Sequence, residues 1–380
     1  MFFTIPRFKG EFLGKHVGAF AAGNGFAALL ALSISSANAV AATRIWTGGD
    51  GNSSAWDITT NTKNNWDGNN AFISGESAIF ALPSKPSVST RSPTIGTSSL
   101  IVGSITFATG AGAFIIGGTA TLTIGAGVTN SDTNVQTFSV PTIALSGSQT
   151  WNATSGKLVF SGSTLSLGLD RTLTVAGANN TDIGNAIGGM GTSGITKTGA
   201  GILTLTGTHT NTYVGRTTVS GGTLLLGAAD RIPNASPMTL ANGTFATGGF
   251  NETLGALTLS ANSIIDMGAT GASTLHFDPS SSLFTSGTTL SIYNWTAGTD
   301  HVFFGTDSSS LTTGQLSQIH FFSGSNTGNL GAAKFGSAGE IVAVLPEPSS
   351  VAMAFGLAGL AGWRERRRTR AVRGAERRAF

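Results

Sequence analysis

The sequence predicts an all-β fold whose body is a right-handed parallel β-helix, or β-solenoid. Short runs in which apolar residues alternate with Thr or Ser recur between Thr43 and Val344. Alternation with a period of two places Leu, Ile and Val on one face of a strand. Glycine follows most of the runs and supplies the positive φ angles that tight turns need. No amphipathic segment of helix length interrupts this pattern, so the body is predicted to consist of short strands joined by tight turns.

The clearest runs are four or five residues long and rich in residues that favour strands. They fit a solenoid because each coil buries its apolar face against the next, so a long chain needs no larger single core. The spacing between runs is irregular, and a pair of β-sandwiches is the structural alternative. The clearest runs are Thr121–Ile124, Lys157–Phe160, Thr172–Val175, Ile202–Thr206, Thr223–Leu226 and Ala256–Leu259.

The positive charge of the chain is concentrated at its two ends. Of the 21 Lys and Arg residues, three lie in residues 1–42 and eight in residues 346–380, so the middle carries ten basic and 14 acidic residues. This body lacks the clustered Lys and Arg of a nucleic-acid-binding face, and we expect no nucleic acid partner. The chain has no cysteine, which excludes disulfides, a thiolate nucleophile and cysteine-ligated metal sites.

Residues 1–39 have the three-part organisation of a secretory signal peptide. A basic start precedes an apolar run from Phe26 to Ile34, and the small residues Ala37 and Ala39 then form an A-x-A cleavage site. We expect signal peptidase to cleave after Ala39. The apolar run is short for a bilayer, so an exported protein is favoured over one with an N-terminal membrane span.

The segment from residue 346 to residue 380 predicts a second targeting signal. Pro346, Glu347, Pro348 and Ser349 precede an uncharged stretch that ends at Trp363. As a helix, the 15 residues from Ser349 would span about 22 Å against about 30 Å for a bilayer core, which predicts a short transmembrane helix. The arginines that follow predict a stop-transfer signal with a cytoplasmic end. They are Arg364, Arg366, Arg367, Arg368 and Arg370.

The order of motif, helix and arginines resembles the PEP-CTERM sorting signal of exported proteins in Gram-negative bacteria, although Leu345 stands where that family most often has Val. The resemblance implies an intermediate in the inner membrane, where an exosortase-like protease recognises and cuts the tail. The protein is then released to the cell surface or the extracellular matrix. A C-terminal anchor that stays uncut is the alternative, because a short helix can still hold a protein in a membrane.

Residues 194–224 contain the most specific motif of the body. The segment resembles the autotransporter-associated β-strand repeat, with Lys-x-Gly-x-Gly before an alternating strand, then Asn-Thr-Tyr-x-Gly, Thr-Thr-Val and Gly-Gly-Thr-Leu. Its alternation and glycines predict three strands that form one full coil of a parallel β-helix. Trp151–Gly177 resembles a degenerate copy without the Lys-x-Gly start. The matching positions are Lys197, Gly199, Gly201, Asn211, Tyr213, Gly215 and Gly221.

Segments on both sides of the repeat predict caps that cover the apolar ends of the solenoid. Trp46, Trp56 and Trp66 are interpreted as cap packing rather than as a sugar-stacking platform, because buried aromatic residues are commoner than functional ones. Toward the other end, Leu311–Ser317 is predicted as the one short helix outside the termini.

The search for catalytic or metal-binding residues yields few candidates. The acidic residues of the body are scattered, without the paired carboxylates of a glycosidase. The closest candidates are His276 with Asp278 and Asp300 with His301, and each is interpreted as an ordinary surface pair. Gly48–Asn52 resembles the start of a calcium loop but lacks its closing Glu, so it is predicted to be a turn. We expect no catalytic residue, no cofactor and no bound metal.

Together these features predict a non-enzymatic, exported protein of the cell surface or extracellular matrix that associates with extracellular polysaccharide. A carbohydrate-binding adhesin is a related alternative. A polysaccharide lyase or hydrolase is the enzymatic one, and it would need residues such as Asp266, Asp278 and His276 in one groove. The expected domains are a signal peptide (1–39), an N-terminal β cap with the first coils (40–135), a β-solenoid (136–270) with its core motif (194–224), a C-terminal β/cap module (271–345) and a sorting tail (346–380).

Overall fold

A computed structural model describes residues 42–47, 55–56, 65–67, 71–81 and 92–344 of the chain. The predicted signal helix and the predicted transmembrane helix both lie outside these residues. The described residues form a parallel β-solenoid of about eight turns with almost no helix. This confirms the all-β solenoid prediction, and the parallel pairing of successive turns excludes the pair of antiparallel sandwiches.

The strands belong to two sheets, a 13-stranded first sheet and a 16-stranded second sheet. The first sheet contains β1 (Thr43–Trp46), β2 (Ser77–Phe80), β4 (Leu100–Phe107), β6 (Thr121–Asn130), β8 (Thr142–Leu145), β9 (Gln149–Ala153), β11 (Thr164–Leu169), β12 (Thr172–Gly177), β14 (Ala186–Met190), β15 (Gly194–Lys197), β17 (Thr217–Val219), β19 (Met238–Ala241) and β22 (Leu257–Ala261).

The second sheet contains β3 (Thr94–Ile95), β5 (Ile115–Gly118), β7 (Gln136–Phe138), β10 (Leu158–Phe160), β13 (Thr181–Ile183), β16 (Ile202–Leu205), β18 (Thr223–Leu226), β20 (Thr244–Ala246), β21 (Glu252–Leu254), β23 (Ser263–Asp266), β24 (Thr274–Phe277), β25 (Leu290–Tyr293), β26 (His301–Phe304), β27 (Ile319–Gly324), β28 (Thr327–Phe335) and β29 (Glu340–Ala343).

As far as β23, the chain passes repeatedly from one sheet to the other, and the strands of successive turns pair in parallel. Strands β8, β11 and β14 add a third side to the middle turns, beside the first half of β6. All six runs predicted from the sequence correspond to strands and extend beyond them by at most one residue; the strands are β6, β10, β12, β16, β18 and β22. The alternation of apolar and hydroxyl residues therefore identified the strands correctly.

Parallel pairing places equivalent residues in columns that run along the interior. Burying each apolar side chain contributes on the order of 2 kcal/mol, so a column stabilises the stack one turn at a time. A column in the first sheet passes through strands β6, β9, β12, β15, β17, β19 and β22 and contains one polar member, the fourth. Its members are Val128, Trp151, Val175, Lys197, Val219, Leu240 and Leu259.

The N-terminal end is closed by an aromatic cluster. Trp46, Trp56 and Trp66 are at most 3% exposed, and the rings of Trp46 and Trp66 meet edge to face with centroids 5.1 Å apart. Phe80 continues the cluster into the next turn by stacking on Phe107 at 5.0 Å. The three Trp rings are therefore core residues, as the cap interpretation expected, and they form no exposed sugar-stacking platform.

The other end is closed by a change from parallel to antiparallel pairing. Strand β28 pairs antiparallel with β27 and with β29, and β29 pairs antiparallel with β26. The predicted short helix is α1 (Thr313–Ser317). It begins two residues later than expected because Thr312 is its N-cap and forms a capping box with Gln315. In the described part of the chain, no helix is both long and apolar enough to cross a membrane.

Candidate functional site

The predicted targeting residues cannot be placed in the solenoid. The signal-peptidase site at Ala37 and Ala39 lies outside the described residues, as do the sorting motif Pro346 to Ser349, the arginines from Arg364 to Arg370 and the turn predicted at Gly48–Asn52. The candidate sites that the structure describes therefore belong to the body of the chain.

Lys197, at the end of β15, is buried in the apolar column with only 2% of its surface exposed. Its ammonium donates hydrogen bonds to the carbonyl oxygens of Thr198, Gly199 and Gly221, the last two at 2.9 and 3.4 Å. Burial lowers the pKa of Lys197 to about 8. Because Gly221 belongs to the following turn, the hydrogen bonds of Lys197 link two consecutive turns.

The glycines of the repeat are required where turns stack closely. Gly199 has φ +68°, and a Cβ added to it would lie 2.5 Å from the carbonyl oxygen of Gly177 in the preceding turn. A Cβ on Gly201 would lie 2.0 Å from the carbonyl oxygen of Asn179, and one on Gly215 would lie 2.2 Å from that of Thr192. These positions admit no side chain without displacing the backbone of the adjacent turn.

Asn211 also connects adjacent turns, and Tyr213 holds its loop to the start of β17. The Asn211 side chain accepts from the Ile187 N–H at 2.7 Å and donates to the Arg231 carbonyl at 2.6 Å. The Tyr213 hydroxyl bonds the Thr217 hydroxyl at 2.7 Å, and burial raises the pKa of Tyr213 above its usual range. The sequence motif is thus a set of contacts that hold the turns together.

The structure corrects the number of strands and coils predicted for the repeat segment. Three strands and one coil were expected over residues 194–224, but the segment enters four strands, β15 to β18. Ile195 of β15 is in register with Thr217 of β17, and Ile202 of β16 with Thr223 of β18, so one turn spans β15 and β16 and the next begins at β17. The loop around Asn211 and Tyr213 forms the third side without a strand.

A buried polar network lies beside the repeat and was not anticipated from the sequence. The Glu252 carboxylate accepts hydrogen bonds from the backbone N–H groups of Arg231 and Ile232 at 2.7 and 3.2 Å. The Arg231 guanidinium donates to the carbonyl oxygens of Gly207 and His209. Burial raises the pKa of Glu252 to about 7, against the opposing effect of its backbone donors. No alternation pattern marks Glu252 as buried, because it lies at the first position of a three-residue strand.

The acids and bases named for a lyase are not joined into one site. His276 stacks on Phe303 with ring centroids 4.4 Å apart, and burial lowers its pKa. Asp266 accepts from the Asn294 amide at 2.7 Å, and Asp278 is exposed. Among the described residues, no hydrogen bond connects His276, Asp266 and Asp278.

Asp300 and His301 are neighbours in sequence but have different partners. Asp300 is buried and accepts from the backbone N–H groups of Ser273 and Thr296 at 3.0 and 2.8 Å. His301 forms a hydrogen bond with Glu340, its Nδ1 lying 2.6 Å from the carboxylate oxygen. The antiparallel pairing of β26 with β29 produces this contact across 39 residues. The expected pairing of Asp300 with His301 is therefore wrong.

A groove of about 610 Å³ crosses four turns on the outer face of the second sheet. We call it the axial groove. Thr223, Thr244, Ile264 and Ser291 are in register along its floor, on strands β18, β20, β23 and β25. At the usual strand spacing of about 4.8 Å, these four residues cover about 14 Å along the solenoid. No pattern in the sequence predicted this groove.

The lining of the axial groove is uncharged and combines hydroxyl and amide side chains with the apolar Ile264, and one aromatic ring lies at its end. Asn242 and Asn262 provide side-chain amides at the turns, and the Tyr293 ring meets Phe322 edge to face at 5.2 Å. Hydroxyls and amides both donate and accept hydrogen bonds. The groove can therefore bind a chain of hydroxyl groups with a ring stacked on Tyr293, and it offers no acid or base for catalysis.

Comparison with known proteins bears on the repeat alone. Residues 195–226 match the family model of the passenger-associated-transport-repeat. The match begins at β15 and ends with β18, so it includes the Lys197 turn and the loop that holds Asn211 and Tyr213. No curated protein and no solved structure matches the chain. The repeat and the solenoid fit a secreted, passenger-like β-helix protein, found on the surface of Gram-negative bacteria or released from it.

Proposed function

We propose that this chain is an exported, non-enzymatic β-solenoid protein that associates with extracellular polysaccharide through the axial groove. The observation that carries the proposal is the lining of the groove, in which Thr, Ser and Asn side chains from successive turns lead to a Tyr ring on the last of them. A linear polymer with repeated hydroxyl groups matches this repeated array of donors and acceptors. Sugar rings also present an apolar face that packs on an aromatic side chain.

We also propose the route by which the protein reaches the cell exterior. Signal peptidase removes residues 1–39, the C-terminal segment inserts in the inner membrane, and an exosortase-like protease cuts near Pro346, Glu347 and Pro348. The order of motif, apolar segment and arginines in the sequence supports this route. Release then leaves a body with ten basic and 14 acidic residues, which suits an uncharged ligand better than a strongly charged one.

Binding to polysaccharide from the native host tests the role of the groove. The extracellular protein is mixed with the insoluble polysaccharide fraction, and the bound share is measured by co-sedimentation. Thr244→Val removes a hydroxyl from the floor of the groove with little change in shape, and Tyr293→Ser removes the ring. We expect each variant to bind about tenfold more weakly, because each loses a hydrogen bond or a stacking contact to the ligand.

Thr174→Val is the matched control, because Thr174 is a half-buried Thr of β12 in the first sheet and is absent from the groove. We expect its binding to equal that of the wild type. Equal retention of the wild type, Thr244→Val and Tyr293→Ser would overturn the proposed role of the axial groove. Release of the wild type by 1 M salt would indicate an ionic association instead.

A further inference from the structure

A second cavity, of about 380 Å³, lies at the C-terminal cap of the solenoid. We call it the cap cavity. It is formed where the turn after β25 meets the antiparallel strands β26, β28 and β29, and it is separate from the axial groove in its lining residues. Its volume lies in the range of small-ligand sites, about 300 to 1,000 Å³. The lining consists of Trp295, Ala297, Gly298, His301, Lys334, Glu340, Val342 and Ala343.

The hydrogen-bonding groups of the cap cavity are mainly donors. Trp295 lines the cavity but is only 4% exposed, and its indole nitrogen is fully buried, so that nitrogen is not one of the groups open to a ligand. The Lys334 side chain is exposed, and no ion pair engages its ammonium in the part of the chain that the structure describes. Glu340 is the one acidic residue of the lining, and it already binds His301. Because a carboxylate can only accept, His301 Nδ1 carries the hydrogen of that bond.

An anionic acceptor complements this arrangement. The ammonium of Lys334 needs an acceptor, and a carboxylate provides one with the opposite charge. The remaining wall is apolar, formed by Ala297, Val342 and Ala343, and suits the body of a small organic molecule.

We propose that the cap cavity binds a small organic carboxylate, whose acid group contacts Lys334 and whose body lies against Trp295, Val342 and Ala343. Such a carboxylate could be supplied by a sugar acid of the extracellular matrix or by a free aromatic acid. Both sources carry the carboxylate that the cavity recognises, and titration with glucuronate and benzoate distinguishes them. The proposal is independent of the axial groove, since no lining residue is common to the two.

Titration followed through the tryptophan indole N–H resonances tests this proposal. Glucuronate and benzoate are added separately to the ¹⁵N-labelled full chain, with glucose and benzyl alcohol as the matched uncharged probes. Trp295→Phe assigns the resonance of Trp295 among those of the six tryptophans. We expect at least one carboxylate to shift the Trp295 resonance at millimolar concentration, and its uncharged partner to leave it in place. A response to glucuronate alone identifies a sugar acid, and a response to benzoate alone identifies an aromatic acid.

Lys334→Gln is the variant that tests the role of the charge. Because Lys334 is exposed, its replacement should leave the fold intact, and we expect the affinity for the active carboxylate to fall about tenfold. Lys157→Gln is the control, since Lys157 pairs with Asp182 beside β10 and β13 and is absent from the cavity. Failure of both carboxylates to shift the Trp295 resonance would overturn the proposal, as would unchanged affinity in Lys334→Gln.

Discussion

Two consecutive turns of the solenoid place different residues at one interior position. Val175 of β12 and Lys197 of β15 are in register, and both are almost completely buried. Two residues later both turns have glycine at positive φ, Gly177 at 109° and Gly199 at 68°. The backbone geometry of the two turns is therefore similar, while the interior residue is apolar in one and cationic in the other.

The difference lies in the carbonyl groups of the turn. Around Lys197, the carbonyl oxygens of Thr198, Gly199 and Gly221 all accept from the ammonium. Around Val175, the carbonyl oxygen of Gly177 already accepts from the backbone N–H of Gly201 at 3.0 Å. A lysine is thus stable in the interior only where the turn leaves several carbonyls free to bind it. The Lys-x-Gly-x-Gly motif specifies such a turn.

Placing a lysine at the apolar position of the first turn should have the largest effect on stability. Val175→Lys would place an ammonium against Trp151 and Lys197, its neighbours in the column, without free carbonyl acceptors. We expect a loss of about 4 kcal/mol in the free energy of unfolding, measured with denaturant, because an unpaired charge would be buried. A loss below about 1 kcal/mol would show that any turn of this solenoid accepts lysine.

Gly201→Ala should be the next most damaging change. Asn179 occupies the equivalent place in the preceding turn, and its carbonyl oxygen would lie 2.0 Å from the new Cβ. We expect a loss of about 3 kcal/mol from backbone displacement, measured by denaturant unfolding. Gly221→Ala is the control, since its Cβ would lie 3.3 Å from the nearest atom and should cost less than about 1 kcal/mol. Similar losses for both variants would refute the close-stacking explanation.

Lys197→Met keeps the volume of the side chain and removes its charge. We expect a loss of about 2 kcal/mol in unfolding free energy, because three carbonyl oxygens lose their donor. Lys157→Met serves as the comparison, because the ion pair of Lys157 with Asp182 is partly exposed and should contribute less than about 1 kcal/mol. If Lys197→Met were as stable as the wild type, the ammonium would have no stabilising role.

The smallest expected difference between the two turns is in the dependence of stability on pH. Burial lowers the pKa of Lys197 from 10.5 to about 8, so the unfolded chain binds more protons than the folded chain between these values. The free energy of unfolding should therefore rise with pH from 8 to 10.5. We expect a gain of about 1 kcal/mol, because the carbonyl acceptors offset part of the desolvation. Lys197→Met should lack this rise, and an identical rise in the variant would assign it to another group.

Much of the repeat could be predicted from the sequence because its determinants are local. Period-2 alternation located the strands, and glycines such as Gly199 and Gly201 marked the places where turns stack closely. The motif also singled out Lys197, although nothing in the pattern indicates that its partners are backbone carbonyls. The third side of the repeat was missed because the loop around Asn211 has no alternation.

The axial groove and the contacts of the C-terminal cap could not be predicted, because they depend on the register between distant strands. The floor residues of the axial groove, Thr223, Thr244, Ile264 and Ser291, are separated by 21, 20 and 27 residues, so no fixed period aligns them. The pairing of His301 with Glu340 depends on the antiparallel strands of the cap. Alternation identifies a strand, but it contains no information about which strand lies beside it.

The intact mass of the extracellular form, isolated from the native host, tests the central claim of sorted export most directly. We predict a chain that begins at Val40 and ends close to Pro346, Glu347 and Pro348, as the proposed cleavages by signal peptidase and an exosortase-like protease require. A released form that still contains Arg364 to Phe380 would contradict the sorting of this protein through its C-terminal tail.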